Sequence, residues 1–474
     1  MMPMKNNKNI ALLATTLSLL LSACAVGPDY QRPSVATPAG FKEAPAADAG
    51  WLPAAPADTL DRGPWWELFG DDELNTLVKQ VEVSNQNVAA AVAAYAQAQA
   101  LVREQRASLF PTLVADASVQ RSGGGASVSG TRNSVQGGLS ASWAPDVWGA
   151  LRRGVEGAQA GAQASDANLA AARLSAQGEL ATNYFSLRDA DNELGLVRST
   201  VEGYERALQI TTNRYNAGIA PRTDVLQAQT QLANARADVV TLTAQRAQLE
   251  HAIAVLIGKP PAEFTIAPTT WRMQVPAVPL AVPSDLLQRR PDIASAERAV
   301  AQANAQIGIQ RSAYFPSFSL SASAGNAGTR VADLFGASTS LWSIGLSVAQ
   351  TIFDAGATSA RVAQAEASRD AAVARYRQTV LAAFQAVEDQ LSTTRSLVEQ
   401  MELRRTASEA ADLTEQQLLN RYKAGQVSYT DVVTAQASAL SARRTLSQLA
   451  ANRQASAIAL IQAMGGGWHV AKEQ

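Results

Sequence analysis

With two histidines and one cysteine in 474 residues, the chain has little from which to build a metal centre. His251, His469 and Cys24 fall short of the His/Cys sets that zinc and most transition metals take, so each histidine is read as a surface or packing residue. A lone cysteine also excludes an intramolecular disulfide. Charge is balanced, with 40 Lys and Arg against 41 Asp and Glu. No basic tract is present that could neutralise a phosphate backbone, which argues against a nucleic-acid partner. No nucleophile motif or phosphate loop is found, so no enzymatic activity is expected. Beyond the first two dozen residues, no apolar run reaches the ~20 residues a membrane helix needs. If the chain spans a membrane, it must do so as a β-barrel.

What is present begins with a targeting pattern. Lys5 and Lys8 precede an apolar run from Ile10 to Leu21, the form of a secretory signal peptide over residues 1–23. The run ends in Leu21-Ser22-Ala23-Cys24, which resembles a bacterial lipobox. That resemblance implies cleavage after Ala23 and acyl chains on Cys24, the only covalent group expected and the chain's only cofactor-like element. Ala25 following the cysteine implies, on the same resemblance, passage to the outer membrane. The alternative is ordinary cleavage to a soluble periplasmic protein.

The remainder is an internal duplication. Arg106 to Thr112 returns as Arg311 to Ser317, and Arg214-Tyr215-Asn216-Ala217-Gly218 returns as Arg421-Tyr422-Lys423-Ala424-Gly425, 207 residues later (421 − 214). Asp224-Val225 and Asp431-Val432 keep that offset. Four segments alternate with a period of two, as strands with one apolar and one polar face do. Leu113, Ala115, Ala117 and Val119 form the apolar set of the first. Leu139, Ala141 and Trp143 form that of the second, and Phe318, Leu320, Ala322 and Ala324 that of the third. Trp342, Ile344, Leu346 and Val348 complete the pattern. Such strands suit a transmembrane barrel, or alternatively a soluble sandwich with one wet face. Four strands cannot close a barrel, whose smallest membrane forms have about eight. The barrel must then be shared between copies, and three copies supply twelve strands.

The Gly-rich links 122 to 130 and 325 to 329 are expected to be the hairpin turns. Between strands run long Ala-, Gln- and Arg-rich helical segments with a narrow apolar seam that includes Leu226, Leu232, Val239, Leu242, Leu249 and Leu256. A plain coiled-coil tether is the alternative for these. The expected organisation is a lipidated N-terminal and belt segment, 24–72, followed by a first repeat, 73–264. That repeat holds helix 73–108, a hairpin at about 111–148, long helix 154–217, tip turn 218–223 and helix 223–257. A linker, 265–284, leads to a second repeat, 285–464, with helix 285–312, a hairpin at about 315–353, long helix 357–422, tip turn 423–430 and helix 430–464. A belt tail, 465–474, closes the chain. Trp65-Trp66 and Leu68-Phe69 are read as aromatic anchors of the belt, with a membrane-interface role as the alternative.

Taken together, Cys24 to Tyr30, Trp65 to Phe69, Leu287 to Ile293, both Phe-Pro strand starts and the closing Ala463 to Trp468 resemble the TolC-type outer-membrane factors, in their lipidated branch. The resemblance implies a mainly α fold with membrane β: a homotrimer with a twelve-stranded barrel, a twelve-helix periplasmic α-barrel and a mixed equatorial belt. It implies a passive exit duct for drugs or other small solutes. The implied partners are a periplasmic adaptor, an inner-membrane pump of the resistance-nodulation-division type and outer-membrane lipid. A type I protein-secretion conduit and a pore-less envelope spacer are the alternatives.

The two helix turns carry the candidate site. Gly218 and Gly425 fall where a helix end needs a left-handed residue. Thr223 and Asp224, and Thr430 and Asp431, are expected to cap the following helices. Capped turns alone would explain these residues. The resemblance adds that Gly218, Ile219, Thr223, Gly425, Gln426, Val427 and Ser428 meet the adaptor, and that Tyr422 and Asp224 hydrogen-bond to hold the closed tip. It further implies that Asp431 belongs to an acidic pore ring whose second member is replaced here by Thr434. A basic latch residue of some relatives is replaced by Val427.

Overall fold

The computed structural model describes residues 26–43, 64–123, 131–269, 275–276 and 289–466. The signal segment, Ala23, Cys24 and the tail beyond 466 lie outside the described residues. In order, the elements are α1 (Asp72–Ser84), α2 (Gln86–Ala107), β1 (Thr112–Ser122), β2 (Arg132–Trp143), α3 (Ala150–Asn216), α4 (Arg222–Leu256), α5 (Pro291–Ser312), β3 (Ser317–Gly328), β4 (Ser340–Ala349), α6 (Ala357–Lys423) and α7 (Tyr429–Ala463). The duplication is exact in length where the long helices run. Helices α3 and α6 each have 67 residues, α4 and α7 each have 35, and all four boundaries shift by 207 (357 − 150, 423 − 216, 429 − 222, 463 − 256).

Two compact units can be distinguished, one built on 94–166 and 295–378 with the segment before residue 35, the other on 35–93, 167–294 and 379–474. In the first, the four strands form one antiparallel sheet in the order β1-β2-β3-β4. Its register joins the two repeats: Leu139 lies opposite Ala324 and Ala141 opposite Ala322. Leu113 pairs with Ala141, Leu320 with Leu346, and Ala322 with Ile344. Cross-strand partners share a face, so all four apolar sets read from the sequence lie on one side. Ser140, Ser142, Ser321, Ser323 and Ser343 share the other.

One expected turn is corrected. Residues 325 to 328 belong to β3, and the connection runs through two 3-10 turns, Val331–Phe335 and Ala337–Thr339. Gly325 is there because a Cβ would lie 2.5 Å from the Gly137 carbonyl oxygen, so only glycine lets β2 and β3 approach. The long helices start at aspartate caps. Asp146 accepts from the amides of Leu151 (3.0 Å) and Arg152 (2.8 Å), and Asp354 from Thr358 (2.7 Å). Each cap is followed by a glycine of positive φ, Gly149 at 83° and Gly356 at 87°. This is why α3 begins at Ala150 rather than 154.

The expected helix 73–108 is interrupted. Asn85 takes an extended conformation and its Oδ1 accepts from Asn87 (2.9 Å) and Val88 (3.1 Å), ending α1 and capping α2. Its Nδ2 meanwhile donates to the Leu256 carbonyl at 2.8 Å, holding the end of α4. Helix α5 begins at Pro291, since proline suits the first helical position, and the stretch 285–288 of the expected helix lies outside the described residues. Of the seam residues, Leu232, Leu242 and Leu256 are buried, whereas Leu226 is exposed.

The belt residues of the second unit pack as a core. Trp65, Trp66 and Phe69 are buried, with Phe69 5.0 Å from the Phe185 ring. Their faces are occupied by protein, which disfavours the membrane-interface alternative. Beside them the buried Arg188 binds Glu73, Asp191 (3.1 Å) and the Ala267 carbonyl (2.9 Å), and Arg246 binds Asp191 (2.6 Å) and the Ile266 carbonyl (2.6 Å). Buried charges persist when they are paired in this way.

Candidate functional site

Two features are candidates for function, the sheet face and the helix turns. The apolar face of the sheet has no covering layer over most of its extent: Leu113, Val119, Trp342, Ile344 and Leu346 are each more than half exposed. Strands of 10 to 12 residues match the ~9–11 residues needed to cross a bilayer when tilted. No described helix is long and apolar enough to cross a membrane.

At the turns, the two repeats have the same backbone. In the first, the Gly218 amide donates to Tyr215 and that of Ile219 to Arg214, both at 2.9 Å; in the second, Gly425 donates to Tyr422 and Gln426 to Arg421, again at 2.9 Å. Gly218 and Gly425 hold φ of 73° and 75°, the left-handed closure that a glycine accepts without steric cost. Glu205 and Arg236 pair at 2.8 Å across α3 and α4, and their counterparts Asp412 and Arg443 pair at 2.7 Å across α6 and α7.

The capping expectation is corrected. Pro221, without a side-chain cap, precedes α4, leaving Thr223 and Asp224 inside its first turn. Helix α7 is capped by Ser428 rather than Thr430 or Asp431. Ser428 Oγ accepts from the Asp431 amide (3.3 Å), and Asp431 Oδ2 accepts from the Ser428 amide at 3.1 Å and its hydroxyl at 2.7 Å. This is a capping box. Because Pro221 has no amide hydrogen to offer, Asp224 has no such duty and turns to Tyr422.

Tyr422 is buried, and its hydroxyl donates to Asp224 Oδ2 at 3.2 Å. Burial, then the Asp224 carboxylate, pushes the phenol up to about 12, which keeps it a donor at neutral pH. Arg214 lies 4.9 Å above the Tyr422 ring and donates to the Lys423 carbonyl at 3.2 Å. Tyr429 packs on Tyr422 at 5.1 Å, with Val427 half-buried against the pair. The role of Arg214 was not singled out by sequence, although its place in the repeated Arg-Tyr motif was the available signal. Asp431 and Thr434 are exposed, and Thr434 Oγ1 donates back to the Thr430 carbonyl (3.0 Å). Gly218, Ile219, Thr223, Gly425, Gln426 and Ser428 are exposed. Among the described residues, no three His, Cys, Asp or Glu side chains are grouped to hold a metal.

A chain that carries a sheet with an exposed apolar face backed by serines, and paired long helices in two copies, has the make-up of an outer-membrane channel protein. Comparison with known proteins takes the assignment further. The family model described as outer membrane efflux protein matches residues 77–259 and 282–466, once for each repeat, and the chain belongs to that family. It is 30% identical to the cation efflux system protein CusC of Escherichia coli over 460 residues, covering 96% of this chain and 98% of CusC. It is also 30% identical to the probable efflux pump outer membrane protein TtgC of Pseudomonas putida, covering 98% of this chain and 96% of TtgC. Among solved structures, the open state of the Neisseria gonorrhoeae MtrE outer membrane channel superposes with a TM-score of 0.83 at 28% identity, over 94% of this chain and 98% of that one. The protein is an efflux channel of the outer membrane.

Proposed function

We propose that three copies form the channel, pooling their sheets into a single twelve-stranded barrel that opens into a twelve-helix tunnel. The observation that carries this is the sheet itself: four strands with one exposed apolar face, and β1 and β4 each paired on one side only. In lipid an unpaired strand edge costs several kcal/mol per orphaned group, so β1 must find the β4 of another copy. The serine face then lines a wet lumen that binds nothing tightly. Transport is passive, no catalytic residue or cofactor takes part, and the energy comes from an inner-membrane pump of the resistance-nodulation-division type reached through a periplasmic adaptor. The relatives named as efflux pump and cation efflux system components support this reading over a protein-secretion conduit. Purified protein in planar bilayers is expected to give stepwise conductance; a pore-less spacer would give none and would end the proposal.

Lipidation at Cys24 completes the reading. The Val26 amide donates to the Trp148 carbonyl at 3.0 Å, and Arg153 binds Asp29 at 2.8 Å. The chain from Val26 to Asp29 is therefore held at the junction of β2 and α3. Cys24→Ser is expected to abolish acyl labelling, and persistent label would refute the anchor. On the same family likeness, the turns at Gly218 and Gly425 meet the adaptor, the Tyr422 to Asp224 bond holds the resting tip, and Asp431 faces the pore.

A further inference from the structure

The connection between β3 and β4 folds back over the sheet, and the face it covers is the apolar one. Asn326 follows Ala324 by two residues on β3, and Val135 precedes Leu139 by four on β2, so both side chains point to the apolar side. Asn326 Nδ2 donates to the Leu334 carbonyl at 2.5 Å, and the Leu334 side chain lies 3.7 Å from where a Cβ on Gly137 would stand. Asp333 Oδ2 accepts from the amides of Thr329 and Arg330, both at 2.8 Å, and Thr339 Oγ1 donates to the Gly336 carbonyl at 2.8 Å. Beneath this braced loop Val135 is 4% exposed, whereas Val119, its partner on β1, is 74% exposed. The loop turns its own phenylalanine outward, with Phe335 87% exposed.

On the reading above, lipid covers the apolar face, and the hairpin ends, opposite the strand ends that lead into the helices, reach the cell surface. A phenylalanine held outward in water forgoes the ~1.5–3 kcal/mol that its burial yields. Standing on a face that lipid covers, it recovers this from the bilayer. A neighbouring copy is a poorer occupant, because the loop lies on β2 and β3, the inner strands, while copies meet at β1 and β4.

Charge decides which lipid. Residues 117–139 and 323–341 contain Arg121, Arg132 and Arg330 against Asp333 alone, and the Asp333 carboxylate is engaged with backbone amides. Arg132 belongs to the serine side, six residues before Gly138. Arg121 lies two residues beyond Val119 on the apolar side and donates only to Thr131 Oγ1 (3.3 Å); among the described residues neither it nor Arg330 pairs with a carboxylate. Strands β1 and β3 stand two spacings apart, about 10 Å, a gap that two arginine side chains can close through one phosphate, which guanidinium groups bind in bidentate fashion. Resting on the membrane reading, we infer that this outer rim binds an anionic lipid. Arg121 and Arg330 hold its phosphate, and its chain descends past Phe335 and Val119.

The test uses the full-length protein. Cys24 is its only native cysteine, so a nitroxide on Phe335→Cys or on Ile344→Cys, corrected for label taken up by the parent chain, reports one position. In vesicles of phosphatidylglycerol and phosphatidylcholine, collisions with dissolved oxygen are expected to exceed those with a water-soluble nickel chelate at both positions. Water at 335 with lipid at 344 overturns the lipid contact while the membrane face stands. Water at both overturns the membrane reading and the contact together. A label at 335 shielded from both reagents marks cover by a neighbouring copy and also overturns the contact. Native mass of the detergent-solubilised protein reads the headgroup. Phosphatidylglycerol is expected to stay bound where phosphatidylcholine is lost, and Arg121→Gln with Arg330→Gln is expected to abolish that difference. Equal retention of the two lipids, or a preference that the double variant keeps, overturns the site.

Discussion

The belt and the sheet treat the same kinds of side chain in opposite ways. In the belt, Trp65 and Trp66 are almost wholly buried, and Arg188 has its charge answered by Glu73 and Asp191 within the one chain. In the sheet, Trp342 is 78% exposed and Ile344 72%. Burying a large apolar side chain yields about 1.5–3 kcal/mol, and the sheet forgoes this repeatedly unless lipid covers it. The belt is thus a structure that one chain completes, whereas the sheet, on the proposed reading, is completed by lipid and neighbouring copies. The tip has both characters, with Tyr422 buried and its twin Tyr215 43% exposed.

Two substitutions sharpen this contrast. Arg188→Ala removes a buried guanidinium from Asp191, which keeps Arg246, and from the half-exposed Glu73, and opening such a network costs at most about 3–5 kcal/mol. The expected result is a large fall in the thermal midpoint followed by circular dichroism in detergent, because the damage lies in a region complete within one chain. Ile344→Arg places a cation on the lipid face near mid-strand, which costs about 2–4 kcal/mol in a membrane barrel. It should impair membrane insertion and assembly while the helical signal of the detergent-solubilised chain stays near wild type. An equal loss of helix in both variants would show that the two regions are not independent in the way proposed.

The sheet was legible because a period of two is a local signal: each apolar set, from Leu113 to Val348, could be read without knowing its neighbours, and the register then placed them together. The glycine turns were legible for the same reason. What escaped was decided by contacts distant in sequence. Asn85 breaks a helix whose flanks read as continuous because its side chain also holds Leu256. Gly325 looked like a turn residue and is a strand residue pressed against Gly137. Pro221 and Ser428 occupy equivalent cap positions in two turns that otherwise share a motif, and that one difference frees Asp224 for Tyr422 while engaging Asp431. The opposite burial of Tyr215 and Tyr422 could not be read from identical local sequence at all. Tyr422 lies against Arg214 and Asp224 of the other repeat, whereas Tyr215 is 43% exposed.

The central claim is that one chain supplies a third of a barrel. The most direct measurement is the native mass of the full-length protein extracted from membranes into mild detergent. The account predicts a single species of three chains, about three times 49.9 kDa before processing and lipidation. A stable, folded species of one chain under the same conditions would contradict it.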